Sequence, residues 1–407
     1  MKLGRVSMKV PSLEEMDLKG KRVFIRVDFN VPIDEKGEIT DDTRIRSALP
    51  TIRMALERGG KVIVASHLGR PKGKPDKRFT MAPCAKRLSE LLQREVHLAP
   101  DCIGPEVERM VSQMEEGQVL MLENLRFHPE EEANDDGFAR ELAKLLDIYV
   151  NDGFAVAHRA NASVEAIVKF SPLCAAGLLM KRELEALEKA LEDPARPLVA
   201  ILGGGKVTDK LGAVHRLMKI ADKVIIGGAL AYTFLRAKGI DTGASLVEEE
   251  LLSQAAKIMA RAKRKGLKLY LPVDCVVAPE KSDKAERMVR PVQEIPAGWM
   301  ALDIGPASIA LFSEVISDAK TIVWNGPMGV YELEPFSTGT KELVKAVAQS
   351  KAFSILGGGD LDAAAHQSGY AEGISYISTG GGAFVELLEG RKLPGVEALL
   401  RCSKRRR

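Results

Sequence analysis

The sequence LGGGKVTDK, residues 202–210, decides how the second half of the chain folds. It follows an apolar run, residues 197–202, that is typical of a buried parallel strand, and it precedes a run, residues 211–220, with apolar side chains at helical spacing. Glycines at such a turn expose backbone N–H groups to an anion. If the helix has begun by Lys206, the ammonium groups of Lys206 and Lys210 lie on one face near its N-terminus. The stretch predicts either a polyphosphate site or a tight turn with solvated lysines.

The same order of elements recurs along the whole chain: a short apolar strand, a loop rich in polar residues or glycine, and a helix. Strands are expected at 21–27, 61–65, 119–122 and 148–150 in the first half, and at 197–202, 223–226, 268–271, 300–303, 321–324, 353–356 and 375–378 in the second. Alternation of strand and helix predicts an α/β fold, in which parallel, doubly wound sheets have helices on both faces. A helix at 181–192 either joins two domains or packs within one.

Length and composition narrow the class of protein. The chain has 407 residues, enough for two or three domains, and its net charge of +3 is too small to indicate nucleic acid as a partner. No apolar run approaches the roughly 20 residues that span a bilayer, and the N-terminus lacks a signal-type apolar core, so we expect no membrane contact and a cytoplasmic location. The cysteines show no zinc-type spacing and are expected to be buried or idle thiols in a reducing cytosol: Cys84, Cys102, Cys174, Cys275 and Cys402.

Basic and polar side chains recur at the strand-to-helix junctions of the first half. In a doubly wound sheet these junctions meet at one edge, where ligands bind. Because arginine binds phosphate and carboxylate through a bidentate fork, several guanidinium groups at one edge predict a small, strongly anionic ligand. Each residue alone is more often a surface residue, and the prediction depends on the recurrence of the whole set: Asp28, Asn30, Arg44, His67, Arg70, Arg126 and Arg159.

Glycines take this place at the strand ends of the second half, at positions 203–205, 227–228, 326, 357–359 and 380–382. They permit the close backbone approach that a nucleotide needs. None of them matches a Walker loop or the dinucleotide motif G-x-G-x-x-G. Asp360 follows three glycines at an expected helix start, where it either caps the helix or holds Mg2+ carried by a nucleotide. Glu332 either accepts hydrogen bonds from ribose hydroxyls or is an exposed loop residue.

The motifs of several hydrolytic enzymes are missing from the sequence. It contains no serine nucleophile elbow, no H-E-x-x-H motif and no clear general base. Phosphoryl transfer depends mainly on positioning and on charge stabilisation. A carboxylate acceptor is already ionised at pH 7, so its phosphorylation needs no base.

Eight motifs together resemble those of the phosphoglycerate kinase family. They follow one another in the family's order, and the resemblance extends from about residue 19 to about residue 399. The motifs are RVDFNVP at 26–32, SHLGRP at 66–71, ENLRFHPEE at 123–131, AHRA at 157–160, GGGKVTDK at 203–210, WNGPMGVYE at 324–332, GGGD at 357–360 and STGGGA at 378–383.

This resemblance implies a kinase of glycolysis and gluconeogenesis that transfers a phosphoryl group reversibly between ATP and 3-phosphoglycerate, giving ADP and 1,3-bisphosphoglycerate. It implies two doubly wound domains that face a cleft and are joined by a helix, with in-line transfer after hinge closure. The N-terminal domain, residues 1–180 with 383–407 returning to it, is expected to bind 3-phosphoglycerate, and the C-terminal domain, 181–382, to bind the nucleotide with Mg2+. A monomer is expected, with a dimer left open. The alternatives are another small-molecule acid kinase and a non-catalytic nucleotide-binding scaffold.

Motif by motif, the resemblance also implies roles for single residues. The implied catalytic residues are Arg44 and Lys206, and the implied Mg2+ ligand is Asp360. The residues implied to bind 3-phosphoglycerate are Asp28, Asn30, Arg44, His67, Leu68, Gly69, Arg70, Arg126 and Arg159. Those implied to bind the nucleotide are Lys206, Lys210, Gly227, Gly228, Gly305, Asn325, Glu332, Gly358, Gly359, Asp360 and Leu361.

The sequence departs from the family's pattern at two places. Leu361 stands where the family commonly has Thr or Ser, so a side-chain hydroxyl contact is lost there and only a backbone N–H remains. The stretch AHRANAS at 157–163 differs from the usual residues after Arg-Ala, which leaves the roles of Asn161 and Ser163 open.

Overall fold

The computed structural model describes residues 10–208 and 210–405. The chain divides into two units. The first contains the described residues up to Glu185 together with those from Lys392 onward, and the second contains Ala186–Arg391. The sequence placed these divisions at 180/181 and 382/383, several residues earlier in both cases.

A parallel sheet organises the first unit. Its strands are β1 (Arg22–Arg26), β2 (Lys61–Ala65), β3 (Val96–Leu98), β4 (Val119–Met121), β5 (Ile148–Asn151) and β6 (Leu173–Ala176). They lie in the order β3-β4-β2-β1-β5-β6, and every neighbouring pair is parallel. The intervening helices are α1 (Thr43–Glu57), α2 (Ala82–Leu92), α3 (Pro105–Ser112), α4 (Pro129–Glu132) and α5 (Asp136–Ala143).

The core of this unit forms because α1 presents one apolar face to the central strands. Ile45, Ala48 and Ile52 recur at helical spacing and are completely or almost completely buried against strand residues such as Val23 and Ile25. Each buried isoleucine contributes about 1.5–3 kcal/mol relative to an exposed one. This packing holds β1 and β2 in register, so that the loops following them emerge side by side at one edge of the sheet.

Helix α6 (Leu178–Leu191) contains the division between the two units. Its first turn is held by the first unit: the Asp152 carboxylate accepts from the backbone N–H groups of Leu179 and Met180 at 2.9 and 3.1 Å, and the Thr51 hydroxyl accepts from that of Leu178 at 2.9 Å. Burial raises the pKa of Asp152 to about 6. The helix start is thus anchored by an acceptor for its unpaired N–H groups.

The second unit contains a second parallel sheet and a smaller antiparallel one. Its strands are β7 (Leu198–Leu202), β8 (Lys223–Ile226), β9 (Lys268–Tyr270), β10 (Asp274–Ala278), β11 (Met288–Pro291), β12 (Met300–Ile304), β13 (Thr321–Asn325), β14 (Phe353–Gly357) and β15 (Tyr376–Ser378). The helices are α7 (Leu211–Ile220), α8 (Leu230–Ala237), α9 (Leu252–Lys265), α10 (Pro306–Ser317), α11 (Thr338–Gln349), α12 (Gly359–Ser368) and α13 (Gly382–Leu388).

The parallel sheet has the order β15-β14-β13-β7-β8-β9. The predicted α/β class with two doubly wound sheets is therefore confirmed. The strand expected at 300–303 does not belong to this sheet. As β12 it pairs antiparallel with β10, which pairs antiparallel with β11, because residues 272–305 form their own layer with an apolar cluster that includes Cys275, Val277 and Val292.

The C-terminal segment is shared between the two units. Helix α13 contacts α7, and a side chain at Gly212 would collide with Glu389, so residues up to Arg391 belong to the second unit. Helix α14 (Pro394–Lys404) then packs on β6 in the first unit, where the Gly395 N–H donates to the Ala157 carbonyl at 2.9 Å. The return of the chain to the first unit therefore begins with α14 rather than with α13.

The expectation of idle thiols is wrong for two cysteines. Cys174 on β6 and Cys402 on α14 form a disulfide, with Cα atoms 6.2 Å apart, because α14 packs directly over β6. Cys84, Cys102 and Cys275 are free and buried. Among the described residues, no helix is both long and apolar enough to cross a membrane.

Candidate active site

At the carboxyl edge of the first sheet, the loops after β1 and β2 are tied together by polar side chains. The side-chain oxygen Oδ1 of Asn30 accepts from the Gly69 N–H at 2.8 Å, and the Asp28 carboxylate accepts from the Asn30 backbone N–H at 3.1 Å. Arg44, the second residue of α1, forms an ion pair with Asp28 and keeps 42% of its side chain exposed. Asp28 and Asn30 thus position the loops, while Arg44 remains accessible to a ligand.

His67 lies at the centre of the basic residues of the first unit. It is 3% exposed, and its Nδ1 lies 3.3 Å from Nη2 of the buried Arg26. Burial first, and then the positive charges of Arg26, Arg126, Arg159 and Arg44, hold the pKa of His67 well below its usual range. Because a guanidinium can only donate, Nδ1 must accept, and the proton of the neutral ring is on Nε2. The ring can therefore donate a hydrogen bond from Nε2.

Arg126 is fixed by the turn that carries His67. It is 5% exposed, donates from Nη1 to the Gly69 carbonyl at 2.9 Å, and lies 3.3 Å from the Glu132 carboxylate. Gly69 has φ of +61°, and a Cβ there would lie 2.3 Å from the Phe79 ring, so only glycine fits this turn. Leu68 is buried, and its carbonyl accepts from the Asn124 side chain at 2.8 Å.

Two predicted binding residues, Arg70 and Arg159, are exposed. Arg159 contacts the neighbouring His158, with Nε donating to Nε2 at 3.4 Å. No hydrogen bond or ion pair holds the Arg70 side chain within the part of the chain that the structure describes. Of the predicted set, the structure therefore brings Arg44, Arg126 and Arg159 close enough to His67 to influence its charge, whereas Arg70 extends from the same turn into solvent.

A buried network beneath this cluster was missed by the sequence analysis. Nε of Arg26 donates to the Ser163 hydroxyl at 2.8 Å. The Glu131 carboxylate accepts from both the N–H and the hydroxyl of Ser163, at 2.8 and 2.6 Å, and lies 3.9 Å from Nη2 of Arg26. Arg26 and Glu131 are 2% and 1% exposed. Ser163, whose role the sequence left open, is the residue that links them. A signal was available: Arg26 stands inside an apolar strand, where an arginine needs a partner.

In the second unit, the turn at 202–210 departs from the expected geometry. Helix α7 begins only at Leu211, with Lys210 as its N-cap residue, so Lys206 precedes the helix and the two lysines do not share a helical face. Lys206 is exposed. The backbone N–H groups of Val207 and Thr208 both donate to the Glu248 carboxylate, which lies 3.2 Å from the Thr208 nitrogen. The turn does bind an anionic group through its backbone, and here that group is a carboxylate.

Lys210 and Asn325 meet at the end of the central strands. The Lys210 ammonium donates to the side-chain oxygen Oδ1 of Asn325, and the side-chain Nδ2 of Asn325 donates to the Gly357 carbonyl at 2.5 Å. Since β13 lies between β7 and β14, Asn325 is opposite Leu202 on one side and Gly357 on the other. This arrangement joins the turn after β7 to the glycines after β14.

Close backbone packing explains several of the predicted glycines. A Cβ at Gly227 would lie 2.3 Å from the Met328 sulfur, and one at Gly228, where φ is +62°, would lie 2.6 Å from the Gly204 nitrogen. A Cβ at Gly305 would collide with Asp274. Gly227 and Gly228 let the turns after β7, β8 and β13 approach one another, and Gly305 lets the turn after β12 approach β10, so the first role of these glycines is in packing.

The N-terminus of α12 carries the predicted metal ligand. Gly358 is the N-cap residue with φ of +112°, and Gly359 has open space where a side chain would project. Asp360 is exposed and faces Tyr331, whose pKa is raised by burial and by this carboxylate. Leu361 is fully buried in the core, which explains why no hydroxyl is presented there. An exposed carboxylate beside free helix N–H groups fits Mg2+ bound together with phosphates.

Glu332 lies in the exposed loop after β13. Its carboxylate pairs with Lys281 at 3.2 Å, and both side chains are more than half exposed. The structure places Glu332 in the second unit at the surface, with its carboxylate accessible to a ligand.

The comparisons with known proteins all point to one family. A model of the phosphoglycerate kinase family matches residues 13–391. A phosphoglycerate kinase from Geotalea uraniireducens (strain Rf4) is 59% identical over 393 residues, covering 96% of this chain and 98% of the relative. One from Geobacter metallireducens (strain ATCC 53774 / DSM 7210 / GS-15) is 58% identical, covering 96% and 99%. The phosphoglycerate kinase structure from Coxiella burnetii superposes with a TM-score of 0.90 at 43% identity, covering 97% of this chain and 99% of the other.

The chain therefore belongs to the phosphoglycerate kinase family, and its activity is that of this family of phosphotransferases. The predicted family is confirmed, and neither another acid kinase nor a non-catalytic scaffold is favoured.

Proposed function

We propose that the first unit binds 3-phosphoglycerate, that the second binds ATP or ADP with Mg2+, and that the phosphoryl group passes directly between the two substrates. The family supports the substrates, and the division of chemistry between the units supports their placement. One observation carries the proposal: a buried, neutral His67 surrounded by guanidinium groups. Arg44, Arg126 and Arg159 lie around this ring, with Arg70 exposed on the same turn, and guanidinium groups that converge in this way bind phosphate and carboxylate.

In this proposal, the anionic groups of 3-phosphoglycerate contact Arg126, Arg159 and Arg70, while His67 donates from Nε2. Arg126 is the least mobile of these groups because it is buried and held by the Gly69 carbonyl. Arg70 and Arg159 are exposed and can adjust to the ligand. Asp28, Asn30, Leu68 and Gly69 shape the two loops that surround the ligand.

The nucleotide binds at the edge of the second sheet. Lys210, Asn325 and the turn after β7 contact its phosphates, and Glu332 contacts the ribose. The glycines at 227, 228, 305, 358 and 359, with the backbone N–H of Leu361, provide the close backbone approach. The Asp360 carboxylate would hold the Mg2+ bound to the nucleotide, and that ion would neutralise phosphate charge.

The acceptor carboxylate is ionised at neutral pH, so the protein need not remove a proton. Its task is to align the two substrates and to stabilise charge on the migrating group. Arg44 and Lys206 suit this task, because both side chains are exposed to solvent. We propose that the two units close on the bound substrates before in-line transfer, which excludes water. We propose that the enzyme acts in the cytoplasm as a monomer, with a dimer as the alternative.

The test replaces Arg44 or Lys206 by alanine. Each variant should lose turnover by about two to four orders of magnitude, as expected for lost charge stabilisation. Arg46→Ala and Lys219→Ala remove exposed positive charges from α1 and α7 and should retain activity. ATP consumption with 3-phosphoglycerate, compared with acetate and glycerate, checks the substrate. Near-normal turnover of both the Arg44 and Lys206 variants would refute the assigned roles, and consumption with acetate alone would refute the substrate.

A further inference from the structure

We propose that Asp101, Cys102 and His128 form a binding site for a thiophilic divalent cation such as Zn2+. These three residues, called the Asp-Cys-His cluster below, have no role in the phosphoryl transfer described above. They lie in the first unit, whereas Asp360, the residue proposed to hold Mg2+, lies in the second.

The parallel sheet brings the three residues together. Asp101 and Cys102 follow β3, and His128 follows the short helical turn Leu125–Phe127 after β4. Since β3 and β4 are paired and parallel, the segments after them emerge at the same edge. The two segments are joined there by the Glu123 N–H, which donates to the Asp101 carbonyl at 3.4 Å. The positions are 26 apart in sequence, which is why no zinc-type spacing revealed them.

Their ligand atoms are close enough to hold one ion. One carboxylate oxygen, the Cys102 sulfur and an imidazole nitrogen all lie within 4.8 Å of one another, and Nε2 of His128 is 2.7 Å from Oδ1 of Asp101. A tetrahedral zinc ion, with bonds of about 2.3 Å to sulfur and about 2.0–2.2 Å to nitrogen or oxygen, separates its ligand atoms by roughly 3.3–3.8 Å. Side-chain shifts of about 1 Å would therefore close the cluster around the ion.

The Asp-Cys-His cluster is buried at Cys102 and partly exposed to solvent at Asp101 and His128. Cys102 is completely buried, and its N–H donates to Oδ1 of Asp101 at 2.6 Å. The His128 ring stacks on Phe138 with centroids 5.1 Å apart. The His128 and Asp101 side chains are 25% and 46% exposed. Three ligands are thus fixed by the fold, and a fourth position faces water, as in zinc sites with three protein ligands.

The ligand types select the class of metal. A thiolate and an imidazole favour Zn2+ and related transition metals over Mg2+, which prefers oxygen ligands. Binding would displace the thiol proton of Cys102 to solvent, so that thiolate and carboxylate together balance the two charges of the ion. The ion would also join the segment after β3 to the segment that carries Arg126, two residues before His128.

The test is a titration of the full-length protein with Co2+, a spectroscopic substitute for Zn2+. It is carried out in excess Mg2+ and without added thiol, so that the Cys174–Cys402 disulfide stays closed. The wild type should bind one ion per chain with a thiolate-to-cobalt charge-transfer band and the visible bands of a tetrahedral ion. Added Zn2+ should abolish both.

Three variants locate the site. Cys102→Ser should remove the charge-transfer band and weaken binding by more than about 100-fold, beyond the 10–100-fold effect typical of changes around a metal site. Asp101→Asn alters a partly exposed side chain and should keep the fold while weakening Co2+ binding. Cys84→Ser, at another buried free cysteine, should leave the spectrum unchanged. A wild-type spectrum without the thiolate band, or a band that survives Cys102→Ser, would overturn the proposal.

Discussion

The buried network beneath the basic cluster gives the sharpest prediction, which concerns Glu131→Gln. Glu131 is the carboxylate that lies against the buried Arg26, and it also accepts two hydrogen bonds from Ser163. Glutamine has nearly the same shape and keeps one acceptor oxygen. The substitution therefore removes the negative charge beside Arg26, together with one accepted hydrogen bond, without leaving a cavity.

The expected loss of stability follows from this geometry. Leaving a buried charge without its partner costs about 3–5 kcal/mol. The closest Arg26–Glu131 distance is 3.9 Å, and Arg26 keeps its bonds to Ser163 and to the Val27 carbonyl, so we expect the lower end, about 3 kcal/mol. With a urea slope of roughly 2 kcal/mol per M, the unfolding midpoint of the first unit should fall by about 1.5 M.

Urea unfolding followed by far-ultraviolet circular dichroism measures this change. Tryptophan fluorescence supplies a control in the same sample, because both tryptophans, Trp299 and Trp324, belong to the second unit. Glu130→Gln is the matched variant, since Glu130 is an exposed neighbour on α4 and its replacement should change the midpoint by less than about 0.3 M. An equal, small effect of Glu130→Gln and Glu131→Gln would show that the charge of Glu131 does not stabilise Arg26, and the reasoning would be wrong.

Two further predictions concern protonation. Folding lowers the pKa of His67 well below its usual range, so its ring should remain neutral at pH 6.5 in imidazole 15N spectra. The stability of the first unit should fall as pH decreases through about 6.5, because the unfolded chain then binds a proton that the folded ring does not. A ring that titrates near 6.5 in the folded protein contradicts this. Burial raises the pKa of the Asp303 carboxyl from 3.8 to about 7. As pH rises from about 4 to 7, the unfolded chain loses this proton more readily than the folded protein does. The free energy of unfolding of the second unit should therefore fall over this range, by up to about 4 kcal/mol. Asp303→Asn should flatten that dependence in fluorescence-monitored urea unfolding at pH 5 and 8, and an unchanged slope would count against the raised pKa.

The features of the fold and of the site that depend on local sequence pattern were predicted correctly. Alternating strands and helices predicted both parallel sheets, and junction residues such as Asn30, His67 and Arg126 lie at the sheet edge because the carboxyl ends of parallel strands share one edge. The helical run expected at 211–220 is helix α7, but the condition that the helix has begun by Lys206 is not met, because α7 begins only at Leu211. Spacing alone does not reveal that the preceding backbone N–H groups are occupied by a carboxylate distant in sequence.

The carboxylate partner of the buried Arg26 could not be predicted from the sequence. The neighbouring residues Ile25 and Val27 point to the opposite face from Arg26, so a one-sided sheet packed on that face would have placed Arg26 in solvent. In a doubly wound sheet, a strand paired on both sides is covered on both faces, and β1 lies between β2 and β5. Arg22, at the start of the same strand, keeps 34% of its side chain exposed, whereas Arg26 is buried, and a buried guanidinium needs a nearby carboxylate. The burial of Arg26 therefore implies that an acidic partner exists, but nothing in the local sequence selects Glu131 from the several acidic residues between 130 and 136. That choice depends on the loop containing Ser163 folding back over β1, which only the tertiary structure determines.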